Sequence, residues 1–171
     1  MRYLAAKLAR PAGDAYVSVV VEKDKYEGGT WLTIVEVKPM GGSQVTVNAQ
    51  AMANDITATG HVALYGIYFD TGKAIVKPES KTSLDEIAKL MGAQPPLRLH
   101  VVGHTDNVGS IASNMTLSKQ RADAVVSALV NDYRIAPARL VGNGVGPLAP
   151  VASNLSEEGR AKNRRVELVA Q

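Results

Sequence analysis

Residues 97–122 read Leu-Arg-Leu-His-Val-Val-Gly-His-Thr-Asp-Asn-Val-Gly-Ser-Ile-Ala-Ser-Asn-Met-Thr-Leu-Ser-Lys-Gln-Arg-Ala. Apolar residues occupy every second position at the start of this segment, which predicts a strand over residues 97–102 with one apolar face. A polar loop follows at residues 104–109. From about Ser118 to Tyr133 an apolar stripe recurs at helical spacing, which predicts a helix. The members of that stripe are Ala122, Val125, Val126, Leu129 and Val130.

Strand and helix patterns also alternate on both sides of this segment. The near-continuous apolar run His61–Phe69 is typical of a central strand, and a helix is expected from Pro78 to the Pro95-Pro96 pair. Further along, we expect a short strand at Leu140–Val141, a glycine loop at 142–147, a helix capped by Ser156 and a last strand over 165–170. The order β-α-β-α-β-α-β over residues 61–171 therefore predicts an α/β (α+β) domain with helices packed on a mixed sheet.

Residues 1–60 have a different pattern and form a separate predicted segment. Residues 16–21 and 30–37 are rich in strand-forming side chains and flank Gly28-Gly29, which predicts a hairpin. Residues 44–58 carry apolar residues at helical spacing, which predicts a helix. A hairpin plus one helix has too few residues to bury a large core alone. No family signature is visible in this segment.

Composition places the chain among ordinary soluble domains and excludes several classes of site. Hydrophobic residues make up 46% and charged residues 20% of the 171 residues, and the net charge of +3 is too small for a nucleic-acid-binding surface. The absence of cysteine excludes disulfides, thiolate metal sites and a Cys nucleophile. No apolar run approaches a membrane helix or a signal peptide. If the protein acts outside the cytoplasm, we therefore expect this chain to be a mature or truncated form.

Sequence motifs that would indicate catalysis, metal binding or phosphate binding are weak or missing. No Gly-x-Ser-x-Gly elbow occurs, and no motif places a nucleophile beside His104 and Asp106. His100 and His104 are four residues apart, but they lie on a predicted strand and loop, where this spacing does not align metal ligands. The glycine loop lacks the Lys-Ser/Thr of a phosphate-binding P-loop. We therefore expect no enzyme, no metal and no cofactor.

The most informative pair of charges is Asp106 and Arg121. Asp106 follows a predicted strand, and Arg121 falls in the first turn of the next predicted helix, where the helix dipole disfavours a cation by about 0.3–1 kcal/mol. A nearby carboxylate would offset that cost, so one interpretation is an internal Asp106–Arg121 ion pair. The other is that both charges face one pocket and bind the two ends of a zwitterion, for which the planar guanidinium is well suited.

A set of ordered blocks from Ile67 to Val169 resembles the OmpA-like peptidoglycan-binding domain. The blocks are Tyr68-Phe69-Asp70-Thr71-Gly72, Val102–Asn107, Asn114, Leu117-Ser118, Arg121-Ala122, Gly142, Gly144, Pro147, Asn154, Gly159-Arg160-Ala161 and Asn163–Glu167. They cover about three-fifths of the chain. The resemblance implies a non-enzymatic domain that binds peptidoglycan and anchors an envelope protein to the cell wall of a Gram-negative bacterium.

The resemblance also implies a ligand and a set of contacts. The ligand is the meso-diaminopimelate of the stem peptide, with Asp106 binding its ammonium and Arg121 its carboxylate. Asp70 and Thr71 would lie at the pocket floor, Asn114 and Leu117 would line one wall, and Arg164 would reach the ligand from the last helix–strand junction. The expected location is the periplasm, in association with the outer membrane through a region outside this chain.

Two other functions remain open at this point. An amidase or muramidase would need a metal site or a carboxylate pair such as Asp70 and Asp106, but a neighbouring Arg121 would favour the charged form of Asp106 and make it a poor acid. A protein–protein interaction domain with a vestigial pocket is the third alternative. The retention of both Asp106 and Arg121 argues against it.

Overall fold

The computed structural model describes residues 2–8, 15–23, 28–36 and 48–171. The chain divides into two compact units, Met1–Thr46 and Val47–Gln171. None of the helices in the described ranges combines the length and the apolar character that a membrane span requires.

The N-terminal unit contains a three-stranded antiparallel sheet. Its strands are β1 (Arg2–Leu8), β2 (Ala15–Lys23) and β3 (Gly28–Glu36), in the order β1-β2-β3. The predicted hairpin is confirmed as the β2–β3 pair. The prediction of a turn at Gly28-Gly29 is wrong, because both glycines belong to β3 and pair with β2. Strand β1 was not predicted, because its alanines are weak strand formers.

The C-terminal unit contains the predicted α/β arrangement. Its elements are α1 (Ala49–Thr59), β4 (His61–Leu64), α2 (Lys81–Ala93), β5 (Leu99–His104), α3 (Ile111–Asn131), β6 (Leu140–Gly146), α4 (Glu157–Asn163) and β7 (Val166–Ala170). The sheet order is β4-β7-β5-β6, with β5 and β6 parallel and the other neighbours antiparallel. The predicted mixed sheet with alternating helices is therefore confirmed.

Helix α1 belongs to the C-terminal unit, so the structure divides the chain about fourteen residues before the expected boundary at 60/61. The helix buries Met52 and Ile56 in the same core as α2 and β4. Burial of these side chains removes apolar surface from water and so stabilises the packing of α1 in the C-terminal unit. The first residues of the predicted helix, 44–47, lie outside the described residues.

Strand β4 is short and lies at the sheet edge, so the prediction of a central strand over 61–69 is wrong. After Leu64 the chain leaves the sheet, and Tyr65 is exposed while Ile67 is buried. Phe69 forms only an isolated bridge with Val76. Hydrophobic content alone could not distinguish a strand from an apolar segment that packs on a helix.

Helix α3 begins seven residues earlier than predicted. Ser110 caps it by accepting a hydrogen bond from the Ser113 amide at 3.1 Å, which satisfies a free N–H of the first turn. Arg121 is consequently the eleventh residue of a 21-residue helix and does not lie in its first turn. The predicted helix-dipole cost at Arg121 is therefore wrong, since that effect is confined to the terminal turns.

Glycines let α3 lie close to strands β5 and β6. A Cβ at Gly103 would collide with the Ser118 carbonyl, and one at Gly144 would collide with the Lys119 amide. The expected glycine loop at 142–147 is therefore largely strand, and its glycines provide space for the helix backbone. This close approach positions α3 beside the C-terminal end of β5.

Candidate functional site

A cleft of about 940 Å³ opens beside the C-terminal end of β5. It lies entirely within the C-terminal unit. Three groups of residues line it: the segment after β4, the loop after β5 together with one face of α3, and helix α4. The lining residues used below are Tyr65, Tyr68, Phe69, Thr71, Thr105, Asp106, Asn114, Leu117, Arg121, Glu157, Glu158, Arg160, Ala161, Lys162 and Arg164.

Asp106 occupies the loop directly after β5, and both of its carboxylate oxygens are engaged. Oδ1 accepts a hydrogen bond from the Val108 amide at 3.0 Å, which fixes the turn. Oδ2 accepts one from Nη1 of Arg164 at 2.7 Å. The Asp106 side chain is only 12% exposed. The loop therefore holds a mostly buried anion at the cleft wall.

Arg121 projects from the middle of α3 and is held in place by the segment after β4. Its Nε donates to the Lys73 carbonyl at 3.0 Å, and its Nη2 donates to the Asp70 carbonyl at 3.2 Å. The guanidinium also lies over the Phe69 ring, 4.9 Å from its centre. Burial lowers the pKa of Arg121, and the Asp106 charge acts in the opposite direction. The group remains a cation with a fixed orientation.

Asp106 and Arg121 line the same cleft but do not pair with each other. Among the described residues, the ion-pair partner of Asp106 is Arg164. The hydrogen bonds of Arg121 go to backbone carbonyls instead. The simple Asp106–Arg121 ion pair that the sequence left open is therefore wrong. Two opposite charges are held separately at the wall of one cleft.

Of the other site residues that the resemblance implies, Asn114, Leu117 and Thr71 line the cleft and Asp70 does not. Asn114 is buried, and its Nδ2 donates to the Val108 carbonyl at 2.9 Å, so it braces the Asp106 turn. Leu117 and Thr71 line the cleft. The Asp70 carboxylate is not among the cleft-lining groups.

The Asp70 side chain lies among surface cations. Its carboxylate is 3.4 Å from Lys73 Nζ and 3.6 Å from Lys77 Nζ, and its side chain is 53% exposed. The hydrogen bond from Lys73 is the main cause of a lowered pKa at Asp70. Asp70 thus contributes its carbonyl to Arg121, while its carboxylate lies outside the cleft lining that includes Asp106.

Arg164 connects Asp106 to helix α4. It follows the last residue of α4, and its two terminal nitrogens contact Asp106 at 2.7 Å and Glu157 at 2.6 Å. The hydrogen bonds that Arg164 donates, first that to Asp106 and then that to Glu157, raise its pKa. Arg165 is buried, donates to Glu167 and lies outside the cleft lining. Of the two neighbouring arginines, Arg164 is therefore the one that lines the cleft.

Several cleft residues were not identified as site residues from sequence patterns, among them Glu157, Tyr65, Tyr68 and Thr105. Glu157 was expected only as a first-turn acid of α4, although its seven-residue spacing from Arg164 is compatible with contact across two helical turns. Tyr65 and Tyr68 were counted as parts of a strand. Thr105 is buried, and its Oγ1 has no hydrogen-bond partner within the described part of the chain. No local pattern distinguishes such a threonine from an ordinary strand-end residue.

Metal binding has no evident geometric basis in the described residues. Within residues 2–8, 15–23, 28–36 and 48–171, no group of three or more His, Asp or Glu side chains is arranged to hold a metal ion. His104 is buried, and its Nε2 lies 3.7 Å from Glu167. A single imidazole beside one carboxylate provides too few ligands for a typical site.

Comparison with known proteins identifies the family. A model of the OmpA family matches residues 68–164, more than half of the chain. Outer membrane protein Omp38 of Acinetobacter baumannii is 37% identical over 133 residues, which cover 78% of this chain and 36% of that protein. The peptidoglycan-binding protein ArfA of Mycobacterium bovis is 41% identical over 103 residues, which cover 60% of this chain and 31% of that protein.

A solved structure agrees with the sequence comparison. The peptidoglycan-associated lipoprotein from Burkholderia pseudomallei superimposes with a TM-score of 0.58 at 27% identity, covering 72% of this chain and 100% of that one. This chain spans about a third of the length of the two curated relatives. The matched family region includes both Asp106 and Arg121. The chain belongs to the OmpA family.

Proposed function

We propose that this chain binds peptidoglycan through the meso-diaminopimelate of the stem peptide and so tethers an envelope protein to the cell wall. The observation that carries the proposal is the separate placement of Asp106 and Arg121 at one cleft wall. The free end of diaminopimelate carries an ammonium and a carboxylate on one carbon. Two fixed countercharges match that end and discriminate against ligands with only one charge.

Arg121 retains donors for the ligand carboxylate. A guanidinium has five N–H groups, and the backbone carbonyls of Asp70 and Lys73 accept two of them. Nη1 has no hydrogen bond to any described residue, so it and the second N–H of Nη2 can bind a carboxylate in a bidentate manner. The bonds to backbone carbonyls reduce the entropy that Arg121 would lose on binding.

Asp106 would bind the ligand ammonium through Oδ2, in exchange for the guanidinium of Arg164. The displaced Arg164 keeps Glu157 as a partner and stays at the cleft wall, where it can meet anionic groups of the ligand. Asn114 holds the Asp106 turn, while Leu117 and Thr71 supply the neighbouring surface. Asp70 acts through its carbonyl on Arg121.

The names of the relatives support this assignment and its location. ArfA is named a peptidoglycan-binding protein, and the Burkholderia protein is a peptidoglycan-associated lipoprotein. Omp38 is an outer membrane protein. We infer that this chain is a binding module rather than an enzyme, and that residues 61–171 carry the binding function. We also infer that it works in the periplasm, with an outer-membrane connection supplied outside this chain.

Cosedimentation with purified sacculi tests the proposal. Sacculi whose stem peptides contain diaminopimelate should pellet the protein, and free diaminopimelate should release it. An unrelated folded protein of similar net charge is the control, because a mildly basic chain can adhere to an anionic polymer. Contacts made directly with the ligand should persist at salt concentrations that screen more distant charges. Pelleting no better than the control, or complete release by salt, would refute the proposal.

A further inference from the structure

The segment after β4 presents two tyrosines in the cleft. The exposed fractions are 51% for Tyr65 and 49% for Tyr68, although both residues line the cleft. Large side chains left half exposed inside a concave surface are typical of a contact site. Tyrosine also provides a broad rigid face at low conformational-entropy cost.

The backbone that carries the two rings is fixed. Ile67, between them, is 7% exposed and packs in the core. The Tyr68 amide donates to Ser80 Oγ at 2.8 Å, and the Lys77 amide donates to the Tyr68 carbonyl at 3.0 Å. A Cβ at Gly66 would collide with Ser83 Oγ, so this part of the chain lies directly on α2. The tyrosines are therefore presented on an ordered support before any ligand arrives.

The cleft is larger than the group that Asp106 and Arg121 would bind. Clefts of about 300–1,000 Å³ are typical of sites for drug-sized ligands, whereas diaminopimelate has only about 13 non-hydrogen atoms. At about 940 Å³ the cleft has room for a neighbouring part of the polymer. Tyr65 and Tyr68 share this additional lining with Arg160, Ala161 and Lys162 of α4.

We propose that Tyr65 and Tyr68 form a saccharide subsite that stacks against an N-acetylhexosamine ring of the glycan strand. This subsite rests on the proposed function, because the diaminopimelate site would bring the glycan to it. A pyranose ring offers a flat face of C–H groups, which matches the electron-rich face of a tyrosine. The intervening stem residues, alanine and glutamate, offer a methyl group and a carboxylate, which match an aromatic face less well.

The stem is long and flexible enough to connect the two sites. Three methylene groups of diaminopimelate and two stem residues, one of them linked through its γ-carboxyl, separate the zwitterionic carbon from the sugar. Fully extended, that chain is longer than the edge of about 10 Å of a cube with the volume of the cleft. A bent stem can therefore place the zwitterionic group and the first sugar in the same cleft.

Calorimetry with three ligands tests the subsite. The ligands are free diaminopimelate, the tripeptide L-Ala-γ-D-Glu-meso-diaminopimelate, and the same tripeptide on its disaccharide. The wild-type chain should bind the disaccharide tripeptide about tenfold more tightly than the tripeptide, given the usual strength of aromatic stacking. The double variant Tyr65→Ala/Tyr68→Ala should lose this gain and bind the other two ligands like wild type.

Leu155→Ala is the matched control, since Leu155 is 95% exposed and does not line the cleft. It should bind all three ligands like wild type. If the double variant loses affinity equally for the tripeptide and the disaccharide tripeptide, the saccharide subsite is wrong. It is also wrong if the double variant loses affinity for neither ligand. Failure of the wild-type chain to bind the tripeptide would instead refute the diaminopimelate site, and with it the subsite.

Discussion

Asp106 and Arg164 form an ion pair of 2.7 Å in the cleft, so the carboxylate assigned to the ligand ammonium already has a cationic partner. Arg164 is also 2.6 Å from Glu157, which gives it an alternative anion. If Asp106 binds the ligand ammonium as proposed, binding is an exchange of cations, and its free energy depends on how well Glu157 holds Arg164 after the exchange. We therefore expect Glu157 to influence ligand affinity without contacting the ammonium.

Substitution of Glu157 tests this exchange. Glu157→Gln should weaken diaminopimelate binding by about two- to fivefold, because Arg164 would be left with Asp106 as its only anionic partner. Glu158→Gln is the matched control: Glu158 also lines the cleft on α4, but it pairs with Lys162 at 2.9 Å. Calorimetry on both variants measures the difference. Equal affinities in the two variants would contradict a role for Glu157 in the exchange.

Neutralising Asp106 should abolish binding while preserving the fold. Asp106→Asn keeps an oxygen for the Val108 amide but loses the charge that binds the ammonium. Loss of one partner of a desolvated charged contact commonly costs about 2–5 kcal/mol of binding free energy. Sacculus pelleting and thermal unfolding should be measured together. Normal pelleting by a folded Asp106→Asn variant would show that the ammonium site is misplaced.

Substitution of Arg121 cannot separate binding from folding in the same way. Its guanidinium ties the Asp70 and Lys73 carbonyls to α3 and stacks on Phe69. Replacing it with alanine would remove the hydrogen bonds that join these carbonyls to α3 and the contact with Phe69, and is expected to lower stability as well as binding. A loss of binding in Arg121→Ala would therefore not distinguish a lost ligand contact from a destabilised fold.

The close approach of α3 to the sheet predicts opposite effects at two glycines. Gly144→Ala should destabilise the fold by about 1–3 kcal/mol, because its Cβ would overlap the backbone of α3. Gly92→Ala should stabilise it by about 0.5–1 kcal/mol, because Gly92 lies in α2 and its Cβ position has no described atom within 4 Å other than its chain neighbours and the nearby backbone of its own helix. Urea denaturation measures both. A neutral Gly144→Ala would contradict the packing.

Local patterns predicted the framework of the site because its parts are adjacent in sequence. Alternation over 97–102 and the polar loop placed Asp106 at a strand end, and the apolar stripe of α3 placed Arg121 on the following helix. The start of α3 was missed because residues 111–117 carry little of that stripe. The cap at Ser110 was the available signal, and it requires no apolar periodicity.

Contacts between distant residues could not be predicted in this way. Arg164 is 58 residues from Asp106, and the carbonyls that hold Arg121 are 48 and 51 residues away from it. Such pairs depend on sheet order, in which β7 lies between β4 and β5. The spacing of residues along the chain does not indicate that β7 lies between β4 and β5. The edge position of β4 was missed for the same reason.

The burial of His104 predicts that the folded protein loses stability in mild acid. It is buried, and neither ring nitrogen has a hydrogen-bond partner in the described part of the chain. Burial, assisted by the Arg165 charge and opposed by Glu167, lowers the pKa of His104 from 6.5 to about 4. Between these values the unfolded chain binds a proton that the folded chain does not, so stability should fall as pH decreases from 6.5 to 4.

The contribution is on the order of 3–4 kcal/mol, since the pKa falls by about 2.5 units and each unit corresponds to about 1.4 kcal/mol. Urea denaturation at several pH values should show that His104→Gln has a shallower pH dependence than wild type across this window. Other groups that titrate there are common to both proteins, so the difference between them isolates His104. Parallel curves for the two proteins would contradict the assignment.

The central claim, that the cleft recognises both charges of diaminopimelate, is tested most directly by calorimetry with two stem tetrapeptides. They differ only at the third residue, meso-diaminopimelate in one and lysine in the other, so that lysine supplies the ammonium without the second carboxylate. If Asp106 and Arg121 each bind one charge, the lysine peptide should bind at least about 30-fold more weakly, the lower end of the usual cost for one lost charged contact. Equal affinity for the two peptides would contradict the account.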